Sequence, residues 1–335
     1  MEIAIDFEPH QAALIEDRRQ LEVSQITSVV LAALIYADLF DYPLTLDELV
    51  RYQVGRAFSG SEIEKEVLES LLLGELVHQS AGYYFLAGRE ALVPLRRRRE
   101  KDSAKLWPKA LRYGQWIRHL PFVRMVAVTG ALSVHNIGDL PDIDLLVVAQ
   151  TGRVWLCRRA LIICVRLARL LGDDLCPNYI IAAGNLKLDQ RDFYTAHELA
   201  QMIPLSGLEV YKRMMRANDW AASYLPAALG TFPTGKQASR RMPLQRVLEP
   251  LLGHALFNRL ESWELARLRA KLRPVLGKAT EVVCSPTQCK GHTGFHRQSV
   301  LERFQERARE LGVESFLPGE LNSTTPPSGD SVRVS

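Results

Sequence analysis

Two aspartates at the mouth of a buried strand constrain this chain more than any other feature. Asp142 and Asp144 stand just before the apolar run Leu145 to Ala149. An earlier apolar strand, Val123 to Val128, ends in the turn Thr129-Gly130-Ala131. Side chains alternate faces along a strand, so the two carboxylates are expected to point the same way, with Cα atoms about 6.5 Å apart. Placed together at the edge of a core they repel each other, and burial adds to the cost of ionising both. A hard divalent cation relieves that cost, and Mg²⁺ is commonly held by one or two carboxylates plus substrate phosphates. Gly130 supplies a turn whose backbone N–H groups can face such phosphates. The plainer reading is an ordinary turn before a buried strand, because Asp139-Leu140-Pro141-Asp142 is built from turn formers.

The spacing favours the first reading. A turn glycine, a gap of about a dozen residues and then D-x-D resembles the signature of the DNA polymerase β-type nucleotidyltransferase superfamily, over Pro121 to about Pro226. In that superfamily a Gly-Ser turn grips the triphosphate and the D-x-D pair binds metal. The resemblance implies an α/β (α+β) fold with a small mixed sheet, Mg²⁺ as cofactor on Asp142 and Asp144, and an NTP as substrate. The nucleoside monophosphate would pass to an acceptor hydroxyl on a small molecule, protein or RNA. Asp142 and Asp144 are thus the candidate catalytic residues, and Gly130, Thr129, Ser133 and Asn136 the candidate nucleotide contacts.

The sequence departs from that pattern twice. Ala131 stands where the phosphate-binding Ser is expected, which leaves Thr129 or Ser133 to supply a hydroxyl. The superfamily's third carboxylate has no clear match on the strand 175–182, where one face offers Asp174, Cys176 and Asn178. A second reading follows: a degenerate domain that acts as a regulator or adaptor, binding nucleotide without turning it over. Asn136 either orients a phosphate or sugar or caps the loop at Gly138.

Residues 1–23 form a polar lead-in. From 24 to 90 the pattern is three short helices and a hairpin, the order of a winged helix-turn-helix. Ile26, Val29, Val30, Ala33, Leu34 and Ala37 keep a helical rhythm. Thr45 to Glu48 and Ser61 to Glu64 read as capping boxes for the next two helices, and Gly74 as the stop of the third. Val77 and Tyr83 to Leu86 flank a Ser-Ala-Gly turn. The stretch Tyr36 to Thr45 looks like the N-terminal winged-helix segment of some uncharacterised bacterial proteins with a nucleotidyltransferase domain. The third helix carries Glu62, Glu64, Glu66, Glu69 and Glu75 against one Lys65, which opposes a phosphate backbone. A protein partner is therefore expected for this domain, with DNA-binding regulation as the third functional reading.

A basic helical connector spans 91–120, opening with Arg96 to Arg99. It either presents a solvated basic side or brings positive charge beside the phosphate site. The nucleotidyltransferase-like domain is expected over 121–229, with a long helix from about Arg153 to Leu171 crossing between its second and third strands. Thr195 to Glu198 reads as a capping box in preference to a catalytic His–Glu pair. A linker covers 230–242, a helical region 243–316 and a disordered tail 317–335. Cys284, Cys289, His292 and His296 are close enough in sequence for zinc, but their spacing fits no standard module. Five cysteines in 335 residues, irregularly placed, predict a reducing, cytoplasmic compartment without disulfides. Arg158, Arg159, Arg166 and Arg169 break the one segment, Leu156 to Leu171, that approaches membrane-spanning hydrophobicity. The net charge of +4 neither requires nor excludes anionic partners.

Overall fold

The computed structural model describes residues 25–69, 71–229, 243–252, 255–273, 282–291 and 296–313. The chain divides into two compact units. One joins residues up to 93 with 222–228 and those from 302 onward, and the other takes the remainder.

In the first unit, helix α1 covers 25–38, and every position from Val29 to Ala37 is buried. It is a central helix wrapped on all sides, where the periodicity predicted a single packed face. Strand β1 (Leu44–Thr45) leads into α2 (Leu46–Arg51), which carries the expected Thr45–Glu48 capping box. Helix α3 (Gly60–Glu69) begins earlier than Ser61 predicts. Ser59 and Glu62 cap one another, through Ser59 N to Glu62 Oε2 at 2.7 Å and Glu62 N to Ser59 Oγ at 3.3 Å. Helix α4 (Leu71–Leu76) runs through Gly74, the predicted stop. Strands β2 (Val77–Ser80) and β3 (Tyr83–Leu86) form the hairpin, with Ala81 and Gly82 both at positive φ, as a tight turn between twisted strands requires. β3 lies in the middle of this three-stranded sheet, with β1 on its other side. Thr27 donates to Glu66, which turns one of the α3 acids inward. Lys65, the single α3 cation, pairs with Glu69 at 3.8 Å.

The second unit is built on a six-stranded mixed sheet. Its elements follow α5 (Leu92–Arg118): β4 (Val123–Val128), α6 (Gly130–Ser133), β5 (Ile143–Ala149), α7 (Val154–Leu170) and β6 (Leu175–Ala182). Then come α8 (Phe193–Gln201), β7 (Ile203–Ser206), α9 (Leu208–Ala217), α10 (Pro243–Leu252), α11 (Ala255–Leu272), β8 (Val282–Cys284) and β9 (Gln288–Gly291); α12 (His296–Glu310) starts in this unit and runs on into the first from residue 302. The strand order is β7-β4-β5-β6-β9-β8. Only β5 and β6 pair in parallel, joined by the α7 crossover; the other neighbours are antiparallel. Strands β4, β5 and β6 occupy the spans their apolar runs predict.

Three strands were not legible in the sequence. β7 falls where Pro204 reads as a helix breaker, yet proline is tolerated on an edge strand because its missing N–H has no partner to lose. β8 and β9 form a hairpin that pairs Cys284 with Cys289, both buried and free. His292 and the side chain of His296 lie outside the described residues, as do the lead-in 1–23, the linker 230–242 and the tail 317–335.

One sheet face packs on α5, α7 and α11 through Tyr113, Ile117, Ile143, Leu145, Val147, Trp155, Leu161 and Leu268. Distant carboxylates fix these helices. Arg153 at the α7 N-cap makes no side-chain cap, and Glu261 of α11 accepts from Trp155 N and Leu156 N at 2.7 and 2.8 Å. It thereby satisfies two of the donors that a helix start leaves open. Fully buried Glu264 takes Arg158, Arg159 and Arg267 at 3.4, 3.2 and 2.8 Å. Arg158 and Arg159, two of the four arginines that interrupt the α7 apolar run, are thus paired. No helix among the described residues is long and apolar enough to cross a membrane. Glu249 of α10 grips Arg124 of β4 with both oxygens, at 2.8 and 2.9 Å, and accepts from Phe122 N.

Helix α5 is anchored through Asp173, just before β6. Its buried carboxylate accepts from Lys109 at 2.6 Å, from Arg112 at 3.2 Å and from the Tyr113 hydroxyl. Burial works against its ionised form, but these three donors outweigh burial and hold its pKa below the usual carboxylate value. A depressed folded-state pKa contributes stability above the unfolded value of about 3.9 and loses it as pH falls through the folded value. Asp173→Asn is therefore expected to cost about 2 kcal/mol at pH 7, the half-exposed Lys109 and Arg112 limiting the loss. The deficit fades below pH 4. Urea melts of both proteins at pH 7 and pH 3.5 check this.

Candidate metal and nucleotide site

The site forms where three sheet segments meet. Thr129 follows β4, and its N–H donates to Asp144 O at 3.1 Å, closing the β4–β5 ladder at the point where the chain turns into α6. Gly130 opens α6 at φ +63, in the left-handed region that favours glycine. A second reason for glycine is steric. A Cβ there would lie 2.4 Å from Asp144 Oδ2, so the Asp144 carboxylate rests directly against the Gly130 backbone.

Asp144 is a strongly perturbed carboxyl. Its alternation partners Ile143, Leu145 and Val147 enter the α7-side core, which directs Asp144 to the opposite face together with Leu146. Burial raises its pKa to about 7, helped by the charges of Asp142 and then Glu198; donation from Cys176 and Asn178 works in the other direction. Asn178 Nδ2 donates to Asp144 Oδ1 at 3.0 Å. Asp142, Asp144 and Cys176 bring ligand atoms within 4.8 Å of one another, a grouping compatible with a metal ion.

A bulge in β6 creates this convergence. Asp144 pairs with Cys176, but Leu146 pairs with Tyr179, so β6 carries one extra residue across that interval. Cys176 and Asn178 both meet Asp144, and Tyr179 returns to the same face one residue later. Bulges re-aim side chains in this way near functional sites. Strict alternation along β6, as the sequence suggests, gives Asn178 and Ile180 the same face; the bulge separates them.

The expected nucleotide contacts are distributed differently. Ser133 Oγ donates to Gly130 O at 2.7 Å, so its proton is held within α6. Thr129 is buried and its hydroxyl has no hydrogen-bond partner among the described residues. Asn136 Oδ1 accepts from Arg99 at 3.1 Å, and Arg98 reaches Asp139 at 3.0 Å. The basic run of α5 therefore borders the loop leading to Asp142. Asp174, the sequence candidate for a third carboxylate, is 60% exposed and faces Arg169 at 3.6 Å.

The chain matches no known protein family, no curated protein and no solved structure. The site has to be read from its own chemistry.

The residue that sequence reasoning passed over is Glu198. Thr195 is not the cap of α8. Asp192 is, accepting from Thr195 N at 2.9 Å, and Glu198 falls a turn further on, free of any capping role. Burial raises its pKa, with Lys290 opposing, and its charge reaches Asp144. Its neighbour His197 is enclosed against Phe193, ring centroids 4.7 Å apart, and burial lowers its pKa to about 3. A neutral core histidine is what remains of the tempting His–Glu pair. The signal that could have found Glu198 was Asp192, a better N-cap three residues before Thr195.

Cys176 is a neutral thiol. Burial, then the charges of Asp144 and Asp142, push its pKa up to about 12. A hard cation is served by carboxylate oxygens and not by a protonated sulfur. Asp142 and Asp144 fit Mg²⁺ as the two carboxylates it commonly takes; Cys176 adds a donor that steadies Asp144.

Two outcomes follow. Gly130→Ala is expected to destabilise the protein by about 1–3 kcal/mol, through positive φ and the Asp144 contact, measured by denaturant unfolding. Asp144 is raised in the folded state, so ionising it weakens the fold progressively between about pH 4 and pH 7. Asp144→Asn, without added metal, is expected to gain stability over the parent as pH rises through that window. Melting temperatures at pH 5 and pH 8 test it, and an equal difference at both would contradict the assignment.

Proposed function

We infer that this protein is a Mg²⁺-dependent nucleotidyltransferase, which passes a nucleoside monophosphate from an NTP to an acceptor hydroxyl. The observation that carries the reading is the Asp142–Asp144 pair set against the Gly130 turn. The succession strand, glycine turn, short helix, D-x-D strand, crossover helix and parallel strand supports a nucleotidyltransferase-type sheet. The helix order and hairpin of the first unit support a winged-helix domain, suited to a protein partner.

Mg²⁺ held by Asp142 and Asp144 would neutralise phosphate charge as it develops. The chain's own residues do the remaining work. Gly130 leaves its backbone uncovered beside the Asp144 carboxylate, where a phosphate would meet backbone N–H in place of a side chain. Asn178 and Cys176 fix the Asp144 carboxylate, which leaves little side-chain freedom to lose when substrate arrives. Arg98 and Arg99 line the approach to Asp142 with positive charge. The acceptor oxygen bonds to the α-phosphorus as the bond to pyrophosphate breaks, and the hydroxyl proton leaves to solvent.

A specific observation favours a second reading. Asn178 and a protonated Cys176 occupy the β6 positions nearest Asp144, so no third carboxylate comes from that strand. A regulator or adaptor that binds nucleotide without transfer fits that deficit. Calorimetric titration with Mg²⁺ and ATP is expected to give binding that strengthens as pH rises through about 7, as Asp144 ionises. The double change Asp142→Asn with Asp144→Asn is expected to weaken it at least tenfold. Binding that survives the double change would sink the site. Incubation with labelled NTPs and cell extract then separates the two readings: transferred label marks the enzyme, bound nucleotide alone the adaptor.

A further inference from the structure

Helices α7 and α11 bury one side against the sheet and leave the other to solvent, and that outer side mixes apolar side chains with positive charge. On α7, Ile163, Leu167 and Leu170 are 60%, 48% and 82% exposed. Their spacing of four and then three residues sets them in a row along the helix. Arg159 lies one turn before Ile163 in the same row, with its guanidinium over the Trp263 ring of α11 at 5.9 Å from the centroid. Trp263 is half exposed. The outward faces of the two helices therefore adjoin, and their apolar side chains belong to one surface. Single exposed leucines are ordinary; a contiguous row of large apolar groups marks a surface that something covers.

The charge around that row is one-sided. Helix α7 carries four arginines and no acid. Helix α11 carries four basic residues and two acids, Glu261 and Glu264, and both acids are spent inside the unit. Glu261 accepts from the N–H groups of Trp155 and Leu156, and Glu264 is fully buried beneath Arg158, Arg159 and Arg267. Arg159 and Arg267 nevertheless stay half exposed. Arg166 is exposed, and no carboxylate among the described residues pairs with it. Asp174, just after α7, answers Arg169 at 3.6 Å.

We propose that the α7–α11 face docks on an anionic phospholipid bilayer. Ile163, Leu167, Leu170 and Trp263 enter the boundary between headgroups and acyl chains, while Arg159, Arg166 and Arg267 stay among the lipid phosphates. Tryptophan suits that boundary, with an apolar ring and a polar N–H. The arginines that keep Leu156 to Leu171 from spanning a membrane are the groups that hold such a helix at its surface. The basic residues are spread along both helices, each about 25 Å long, which a plane of phosphates meets and a single acidic helix of a partner protein does not. A second copy of this chain would set arginines against arginines. Docking of this kind is independent of the chemistry at Asp144.

The test sediments the full chain with vesicles of phosphatidylcholine alone or of phosphatidylcholine with phosphatidylglycerol. Binding is expected to be at least tenfold tighter on the anionic vesicles and to weaken as salt rises. Ile163→Ser combined with Leu170→Ser, and separately Arg166→Glu, are each expected to weaken it at least threefold; all three side chains are exposed, so the fold does not depend on them. Arg97→Glu combined with Lys101→Glu, on the exposed side of α5, is expected to leave it within twofold. Brominated phospholipid is expected to quench tryptophan fluorescence in the parent and less in Trp263→Phe. The comparison of the two vesicles on the unaltered chain stands even if a variant fails to fold. No binding, or equal binding to both vesicles, overturns the docking surface. Binding that the α5 changes remove and the α7 changes leave intact also overturns it. A lipid-free dimer, seen by sedimentation equilibrium and dissociated by Ile163→Ser with Leu170→Ser, would give the face to a second copy. A leucine–glutamate amphipathic peptide that binds where neither vesicle does would give it to a protein partner.

Discussion

The Asp144 carboxylate, pressed against the Gly130 backbone at the end of two core strands, is the constraint on which the second unit's site depends. The apolar alternation of β5 carries Asp144 to the face opposite α7, and the turn after β4 meets it there because residue 130 has no Cβ. Burial then makes the charge expensive. Three responses are available to a buried carboxylate: proton, donor or cation. The chain supplies donors from Cys176 and Asn178, and these only partly offset burial and the charges of Asp142 and Glu198. A group poised to ionise near neutrality is a recurring property of functional sites.

Precision at that point requires a rigid frame, and the frame is held by carboxylates far away in sequence. Glu249, Glu261 and Glu264 come from α10 and α11, more than a hundred residues after Arg124 and about a hundred after the start of α7. They neutralise arginines and close a helix start on the sheet's other side. Asp173 does the same for α5. Each of these acids is largely buried and multiply bonded, the condition under which a buried charge is tolerable at all. Helices α10 and α11 therefore fall in the same compact unit as the D-x-D strand.

Local chemistry made much of this readable in advance. Apolar runs bounded by Gly and Pro marked β4, β5 and β6. The turn glycine and the D-x-D spacing singled out Gly130, Asp142 and Asp144 because strand alternation is a local rule. Capping was readable at Thr45–Glu48. It was misplaced at Ser61 and Thr195, where Ser59 and Asp192 compete a few residues upstream and only backbone geometry chooses between them. Short edge strands such as β7 and β8 contain too few residues for any period to show.

By itself, then, the sequence determined the central strands, the crossover helix and the side-by-side Asp142 and Asp144, since each follows from neighbours within a few residues. It also placed Ala131 after the turn glycine and Asn178 on β6. Only the tertiary structure decided what surrounds Asp144. The β6 bulge brings Cys176 and Asn178 to it, helix α8 sets Glu198 across a cavity, and Arg99 takes Asn136. Those contacts join residues 30 to 60 positions apart, where no periodicity reaches and packing alone fixes which side chains meet.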